Sequence, residues 1–360
     1  MEPYSTMDST QEFQLKVIAQ TLLNERTDNA DLSRALDQFA RLCSEISGVD
    51  PDPSYSAWSA DSFLQEGVAI NPNAAALCVM DYQRSVVFIR GIYAALKSLE
   101  QSEPGDQPLK VLYAGCGPFA TLLLPLLTLF SPNALEIYLV DIHQESLSSV
   151  AKLLTELNLE DYNITMVQGD ACHYRHPTLL DLVIAETMQK ALEQEPQVAV
   201  TENLSTQLSE NGIFIPENIT IELCLARLKE EQEQLKRNEL LCRERSTAMS
   251  TRHAITTLID LSSQRIKQIF DHKHINSDLD CNALALCEVS IPSIAHLETY
   301  QPLLFTRIKV FEEHMLNDYE CDLTLPSRCF DLEPLKAGQT FRASYLLGTY
   351  PKIHWQNATA

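Results

Sequence analysis

The chain is short of basic residues and of glycine. Its 360 residues include 27 Lys and Arg against 49 Asp and Glu, which gives a formal net charge of −22, and only 10 Gly. A protein that binds phosphate backbones needs a basic face, so this charge balance argues against a nucleic-acid partner. It is compatible with cationic substrates or partners. Because glycines are so few, each one in a motif position is informative.

Long apolar runs, a secretory signal and paired cysteines are also missing. The longest apolar run, 121–130, contains Pro125 and is too short to span a bilayer. Residues 1–13 are polar and lack the basic-then-apolar pattern of a signal peptide. The 10 Cys include no Cys-x-x-Cys pair, and the His pairs have no third ligand nearby in sequence. We therefore expect a cytoplasmic protein with reduced thiols, no metal and no membrane association.

The first half of the chain changes from purely helical to alternating patterns. Residues 11–47 carry apolar side chains at helical spacing in two stretches, and the Pro-rich segment 50–55 ends this part. A further helical stretch, 74–96, leads to a loop at 102–106. Short apolar strands then alternate with helices, which is typical of βαβ units and a parallel sheet. The predicted strands are 110–114, 136–140, 164–168, 180–185 and 212–215.

After Pro216 the pattern indicates a second domain. A strand is predicted at 219–225, and a charged segment, 229–270, follows as a helix whose simplest interpretation is a solvated face. Shorter alternating runs come next and indicate an antiparallel β-domain. They include 305–310, 321–325 and 341–347.

A glycine pair follows the first strand of the predicted sheet. Strand 110–114 runs into Gly115-Cys-Gly117-Pro-Phe119 and then into a predicted helix. Small residues let the backbone approach a ligand, and a helix N-terminus offers unpaired N–H groups. Pro118 suits the first position of that helix. A third glycine is missing, so the pyrophosphate fingerprint of dinucleotide-binding folds is incomplete.

Two aspartates end the next strands. Asp141 stands 24 residues after Gly117, where a carboxylate can bond the ribose hydroxyls of a nucleoside. Asp170 ends the third strand, where it can reach an adenine amino group. Each aspartate alone is slightly better explained as a strand-end turn or a helix cap. Taken in order, the glycine pair and both aspartates predict a nucleoside-binding sheet, and this order resembles that of class I S-adenosylmethionine methyltransferases.

Glutamates crowd the segment after the fourth strand. Glu186 and Glu195 flank a loop that we name the acidic loop (residues 186–195), with the sequence Glu-Thr-Met-Gln-Lys-Ala-Leu-Glu-Gln-Glu. Two carboxylates that face one pocket suit a planar cation with several N–H donors, and guanidinium pairs bidentately with carboxylate. A solvated loop is the alternative interpretation.

The acidic loop resembles the paired-glutamate loop of the protein arginine methyltransferase family. Three further segments are similar to that family. Met80-Asp81-Tyr-Gln-Arg84 resembles its helix before the sheet, 208–216 resembles its last strand before the second domain, and Ile353-His354-Trp355 resembles its Thr-His-Trp loop. Gly117-Pro-Phe119 is closer to the Gly-Pro-Leu of the symmetric branch than to the Gly-Thr-Gly of the asymmetric branch.

This resemblance implies an α/β fold with three parts. They are an N-terminal helical segment (1–60), a Rossmann-like methyltransferase domain (61–216) and a β-barrel-like domain (217–360) that contains a helical dimerisation arm at about 229–270. The implied activity is N-methylation of arginine in a protein, in a peptide or as the free amino acid, by a homodimer with S-adenosyl-L-methionine as cofactor. A methyltransferase for another small amine or guanidine metabolite, and a catalytically silent scaffold, are the alternatives.

The resemblance also implies roles for individual residues. Glu186 and Glu195 grip the guanidinium and His354 relays the proton, while Trp355 and Cys78 complete the substrate pocket. Cys78 and Ile353 depart from the family pattern, so the product class and the substrate size stay open. The implied cofactor-binding residues are Arg84 for the carboxylate, with Gly115, Gly117, Asp141 and Asp170.

Overall fold

The computed structural model describes residues 8–51, 61–102, 107–240, 252–276, 279 and 281–358. Most of the predicted loop at 102–106 and part of the segment 50–55 lie outside this range. The helices are Asp8–Leu23 (α1), Asn29–Ser47 (α2), Pro72–Leu77 (α3), Tyr82–Ser102 (α4), Leu124–Leu127 (α5), Gln144–Glu156 (α6), Gln197–Ser205 (α7), Leu228–Leu240 (α8) and Ile266–Phe270 (α9). The first eight strands are Ser62–Phe63 (β1), Val68–Ala69 (β2), Leu109–Ala114 (β3), Leu135–Asp141 (β4), Asn163–Gln168 (β5), Leu180–Ala185 (β6), Leu208–Ile215 (β7) and Asn218–Ala226 (β8). The others are His253–Leu261 (β9), Lys273–Asn276 (β10), Cys281–Ser290 (β11), Gln301–Phe311 (β12), His314–Leu316 (β13), Ser327–Arg328 (β14), Thr340–Leu346 (β15) and Lys352–Asn357 (β16).

The two N-terminal helices share a core with the sheet domain. Their apolar stripes are buried, with Leu15 and Leu22 fully excluded from solvent. Asp28 caps the start of α2 by accepting a hydrogen bond from the Asp31 N–H at 2.8 Å. Arg90 of α4 donates to the Leu22 carbonyl oxygen at 2.7 Å, at the end of α1. The N-terminal helices are therefore attached both by apolar packing and by a capping cation.

A five-stranded parallel sheet forms the centre of the molecule. The strand order is β5-β4-β3-β6-β7, and every pair is parallel. The predicted α/β architecture is thus confirmed. From β3 the chain continues to β4 on one side of it and later returns to β6 on the other side. This reversal of strand order leaves a crevice at the carboxyl ends of the strands.

The helix predicted directly after the glycine pair is wrong. Residues 117–119 form a turn, and the next helix is the four-residue α5, which begins at Leu124. Ala120 has a positive φ of 42°, which a continuing helix does not allow. Pro125 instead occupies the start of α5, where its missing N–H is harmless. The loop therefore has no helix N-terminus directed at a ligand.

Two antiparallel sheets make up the second domain. One has the order β10-β11-β15-β16, and the other has the order β13-β12-β8-β9, with β14 pairing to β12. The predicted strand 219–225 is confirmed as β8, but 321–325 is not a strand. It contains a short 3₁₀ turn, Asp322–Thr324, and the Thr324 hydroxyl accepts a hydrogen bond from the Cys321 N–H at 3.0 Å.

The helix predicted over 229–270 is wrong at 253–261, where strand β9 replaces it, whereas α8 and α9 near its two ends are helical. Residues 241–251 lie outside the described residues, and β9 follows them. Ile255, Thr256 and Ile259 are β-branched residues of β9, which pairs antiparallel with β8. The charged composition of α8 does not continue into β9, whose β-branched side chains favour a pleated sheet.

Helix α4 connects the sheet domain to the second domain. A Cβ atom on Gly91 would lie 2.5 Å from Cγ1 of Val310, so glycine allows α4 to contact β12 closely. The Asp322 N–H donates to the Asp81 carboxylate at 3.0 Å just before α4 begins. None of the helices in the described ranges is long and apolar enough to cross a membrane.

Candidate active site

A cleft opens at the carboxyl ends of the parallel strands and holds about 990 Å³ of empty space, which includes its solvent-filled mouth. Its walls come from the β1–β2 hairpin, from α4, and from the loops that follow β3, β4, β5 and β6. The cleft lies where strand order predicts ligand binding in an open α/β sheet.

The glycine loop and Asp141 meet in this cleft. Gly115 and Gly117 both have φ of +65°, and a Cβ atom on Gly115 would lie 2.6 Å from Cγ2 of Thr187. Asp141 is buried, and its carboxylate accepts hydrogen bonds from the Gly117 N–H at 2.9 Å and the His143 N–H at 2.8 Å. Asp141 thus orients the loop, and the absence of side chains there leaves space for a ligand to approach the backbone.

Asp170 lies in the cleft wall after β5, and its carboxylate accepts a hydrogen bond from the Cys172 N–H at 2.8 Å. Ligand-type atoms of Glu66, Asp170 and Cys172 lie within 4.8 Å of one another. Of these three residues Asp170 lines the cleft, whereas Glu66 and Cys172 line another pocket, and burial raises the pKa of the Cys172 thiol.

Sequence reasoning missed the β1–β2 hairpin, which covers one side of the cleft. Leu64 and Val68 line the cleft, and the Ser62 hydroxyl lies 3.0 Å from Nε2 of His143. A Cβ atom on Gly67 would lie 2.7 Å from the nitrogen of Pro196, so the hairpin touches the end of the acidic loop. The signal available in the sequence was Gly67, because any larger residue there would place its Cβ against Pro196.

The acidic loop is bent so that its two ends meet. Gln197 is fully buried, and its side-chain oxygen accepts a hydrogen bond from the Thr187 N–H at 2.9 Å, which ties the start of the loop to the residues after it. Ala191, Leu192 and Gln194 all have positive φ values, of 58°, 57° and 68°. Non-glycine residues in this region are strained and persist only where the surroundings hold them.

The second domain supplies the contacts that hold this strained loop. The Thr306 hydroxyl of β12 accepts a hydrogen bond from the Ala191 N–H at 2.8 Å, and the Tyr345 hydroxyl of β15 donates to the Leu192 carbonyl oxygen at 2.6 Å. The Gln194 N–H donates to the Pro351 carbonyl oxygen at 2.8 Å. Glu186 and Glu195 consequently face the same cleft.

Arg84 enters the cleft from α4 and binds Glu186. Its Nη2 donates to Oε2 of Glu186, and the two side chains are only 13% and 7% exposed. Oε1 of Glu186 is buried and has no hydrogen-bond partner among the described residues. Oε1 of Glu195 accepts a hydrogen bond from the Gln189 side-chain amide at 2.9 Å. Cys78 lies in the same wall.

Burial changes the proton affinity of this group. Desolvation raises the pKa of Glu186, and the positive charge of Arg84 opposes this change. Desolvation, together with the negative charge of Glu186, raises the pKa of Glu195 to about 7. Desolvation lowers the pKa of Arg84, but negative charge nearby, including that of Glu186, more than compensates and holds it above its ordinary value. The cleft therefore contains a hydrogen-bonded Arg84–Glu186 pair and a second carboxyl group whose pKa is raised to about 7.

His354 and Trp355 are not brought to the cleft. Neither is among the described residues that line it. His354 pairs with Ser344 across β16 and β15, and side chains alternate between faces along a strand. His354 therefore lies on the face opposite Tyr345, which contacts the acidic loop, while Trp355 is buried in the core. The geometry does not support the expected roles of His354 in proton relay and of Trp355 in the substrate pocket.

The residues around the cleft fit S-adenosylmethionine. The glycine pair leaves room at the backbone, Asp141 and Asp170 lie in the wall where ribose and adenine are expected, and Arg84 offers a buried cation for a carboxylate. Glu186 also presents an oxygen that lacks a hydrogen-bond donor. The site thus combines space, acceptors and a cation in one cleft.

A comparison with known protein families agrees with this geometry. Residues 106–274 match a family model described as a methyltransferase domain. Among solved structures, the chain is similar to one from the Trypanosoma brucei PRMT1 enzyme–prozyme heterotetrameric complex with AdoHcy, with 15% identity, a TM-score of 0.45, and coverage of 78% of this chain and 92% of that chain. No curated protein sequence matches this chain significantly. The family match, the parallel sheet and the glycine loop show that the chain contains a methyltransferase domain, and its cofactor is S-adenosylmethionine.

Proposed function

We propose that this enzyme methylates the guanidino group of arginine. The observation that carries the proposal is the pair of buried carboxylates, Glu186 and Glu195, in the wall of the cofactor cleft. Buried carboxylates are rare unless they are paired or bind a cation. Arg84 neutralises one of them, and a positive charge beside the second would favour its ionised form, which burial disfavours. A substrate guanidinium supplies that charge.

The hydrogen-bond groups of the pair match a guanidinium. Oε1 of Glu186 lacks a donor, and Glu195 has capacity beyond the single bond from Gln189. Guanidinium offers five N–H donors in a planar fork, which satisfies both carboxylates at once. Its orientation is then fixed, and a methyl transfer by in-line displacement depends mainly on such positioning.

Glu195 is the group we propose for removing the proton. When bound, S-adenosylmethionine supplies the methyl group on its sulfonium. A terminal guanidine nitrogen gains the methyl group and loses one proton, and the product guanidinium keeps its charge. Because the pKa of Glu195 is raised to about 7, its carboxylate is a stronger base than an ordinary glutamate. His354 is not needed for this step.

The test is a methyl-transfer assay with labelled cofactor and mass-spectrometric localisation of the product. The acceptors are free L-arginine, an arginine-containing peptide, the same peptide with lysine at that position, and small amines such as agmatine and spermidine. Methyl groups on terminal guanidine nitrogens of an arginine acceptor support the proposal. Methylation confined to amines that lack a guanidine group contradicts it and favours a metabolite amine methyltransferase. The absence of methyl transfer to any acceptor, including a cell lysate, favours the silent scaffold.

A further inference from the structure

Arg84 links the cofactor cleft to the acidic loop. It lines the cofactor cleft, and its Nη2 donates to Glu186, the carboxylate assigned to the acceptor. Its side chain is 13% exposed, so little water screens its charge. The same cation therefore lines the cofactor cleft and bonds the carboxylate proposed for the acceptor.

The charge of Arg84 opposes acceptor binding. A guanidinium bound to the free Oε1 of Glu186 would lie close to the Arg84 guanidinium on Oε2. Two cations near one carboxylate repel each other strongly in a poorly hydrated site. A second carboxylate on Arg84 would remove much of this repulsion. The amino-acid end of the cofactor carries such a carboxylate.

We propose that Arg84 couples the two binding events, so that the acceptor guanidinium binds tightly only when the carboxylate of the cofactor engages Arg84. This inference rests on the proposed arginine specificity. Coupling between two ligands is reciprocal, so the acceptor must also strengthen binding of a carboxylate-bearing cofactor. Couplings between sites typically change affinity by a factor of ~5–150. We expect about tenfold.

The first experiment compares two cofactor analogues by calorimetry. S-adenosylhomocysteine has the amino-acid end, and methylthioadenosine has the same nucleoside and thioether without it. An arginine peptide should bind at least about tenfold more tightly to protein saturated with S-adenosylhomocysteine than to protein saturated with methylthioadenosine. Equal affinity in the two complexes overturns the coupling. If the peptide binds neither complex, the arginine specificity is contradicted, and the second experiment still tests Arg84.

The second experiment needs no acceptor. In Glu186→Gln, Arg84 loses the charge of its internal partner, so its attraction for the cofactor carboxylate should increase. The preference for S-adenosylhomocysteine over methylthioadenosine should rise at least about fivefold, while the affinity for methylthioadenosine stays the same. Arg84→Met should lose most of that preference, and a thermal unfolding scan checks that each variant is folded.

Glu193→Gln is the matched control for the second experiment. Glu193 lies in the same loop and is half-buried, but it is not among the described residues that line the cleft. Its substitution should leave the preference between the two analogues unchanged. An unchanged preference in Glu186→Gln would show that the Arg84–Glu186 pair has no influence on the cofactor carboxylate and would overturn the proposal.

Discussion

Replacing Glu195 by Gln should stabilise the folded protein near pH 8. Glu195 is 8% exposed, and burial together with the charge of Glu186 raises its pKa from the ordinary 4.5 to about 7. One pKa unit corresponds to ~1.4 kcal/mol, so the ionised group costs the fold about 3 kcal/mol. Glutamine removes this charge and keeps an acceptor oxygen for the Gln189 amide, which lies 2.9 Å from Glu195.

The direction of the stability change follows from how the stability of the protein depends on pH. The folded state holds the Glu195 proton more tightly than the unfolded state does, so the protein loses stability as pH rises from about 4.5 to about 7. Below that window Glu195 is protonated in both states, and the parent and the variant should be equally stable. Above it, the variant should be more stable by about 3 kcal/mol, which is about 4 °C in Tm for a chain of this length.

Thermal unfolding at about pH 4 and about pH 8 measures this difference, with Glu210→Gln as a control at an exposed position of β7. The control should change Tm little at either pH. A Glu195→Gln variant that is less stable than the parent near pH 8, or equally shifted at both pH values, would refute the reasoning. The same variant should lose methyl transfer, because it cannot accept the proton.

The other predictions concern the loop, the second domain, the histidine and assembly. Gly115→Ala should weaken binding of S-adenosylhomocysteine and lower the free energy of unfolding by roughly 1–3 kcal/mol, because the added Cβ would lie 2.6 Å from the Thr187 side chain and φ is +65°. If calorimetry shows that the variant binds S-adenosylhomocysteine as tightly as the parent, this prediction is contradicted. Glu231→Gln should destabilise the second domain by about 3 kcal/mol in urea unfolding, because Glu231 is fully buried and paired with Arg252; a loss below ~1 kcal/mol would be too small for such a pair. His354→Ala should retain at least about a third of parent turnover, since His354 is not among the described residues that line the cleft, and a loss above about 100-fold would restore it as a proton relay. Sedimentation should show that the parent is a homodimer and that exchanging residues 232–251 for a short linker gives a monomer; a monomeric parent at micromolar concentration would end the dimer proposal.

Much of the parallel sheet could be predicted because each of its strands is a short apolar run with clear ends. The strand predicted at 180–185 matches β6, and the other four were found with ends shifted by one to four residues. The cofactor site was predicted from the glycine pair and the two strand-end aspartates. Each of these signals is local in sequence, and the strand order brings the residues together in one cleft.

The errors come from features that depend on distant contacts. The helix expected at Pro118 is replaced by a turn with Ala120 at positive φ. A sequence motif cannot show on which face of β16 His354 lies, because the pairing with Ser344 determines it. The pairing of Arg84 with Glu186 links residues 102 positions apart, so the sequence predicted both residues in the site but not their contact.

The most direct test of the guanidinium clamp is the turnover of Glu186→Gln beside its matched control Glu193→Gln. Both substitutions keep the size of the side chain, but only Glu186 lies in the cleft wall and is bonded to Arg84. Charged hydrogen bonds contribute ~1.5–3 kcal/mol and misalignment adds to the loss, so turnover of an arginine acceptor by Glu186→Gln should fall at least ~100-fold. Glu193→Gln should stay close to the parent, and both variants should still bind S-adenosylhomocysteine. A Glu186→Gln protein that binds the cofactor and methylates arginine at near-parent rate would contradict the account.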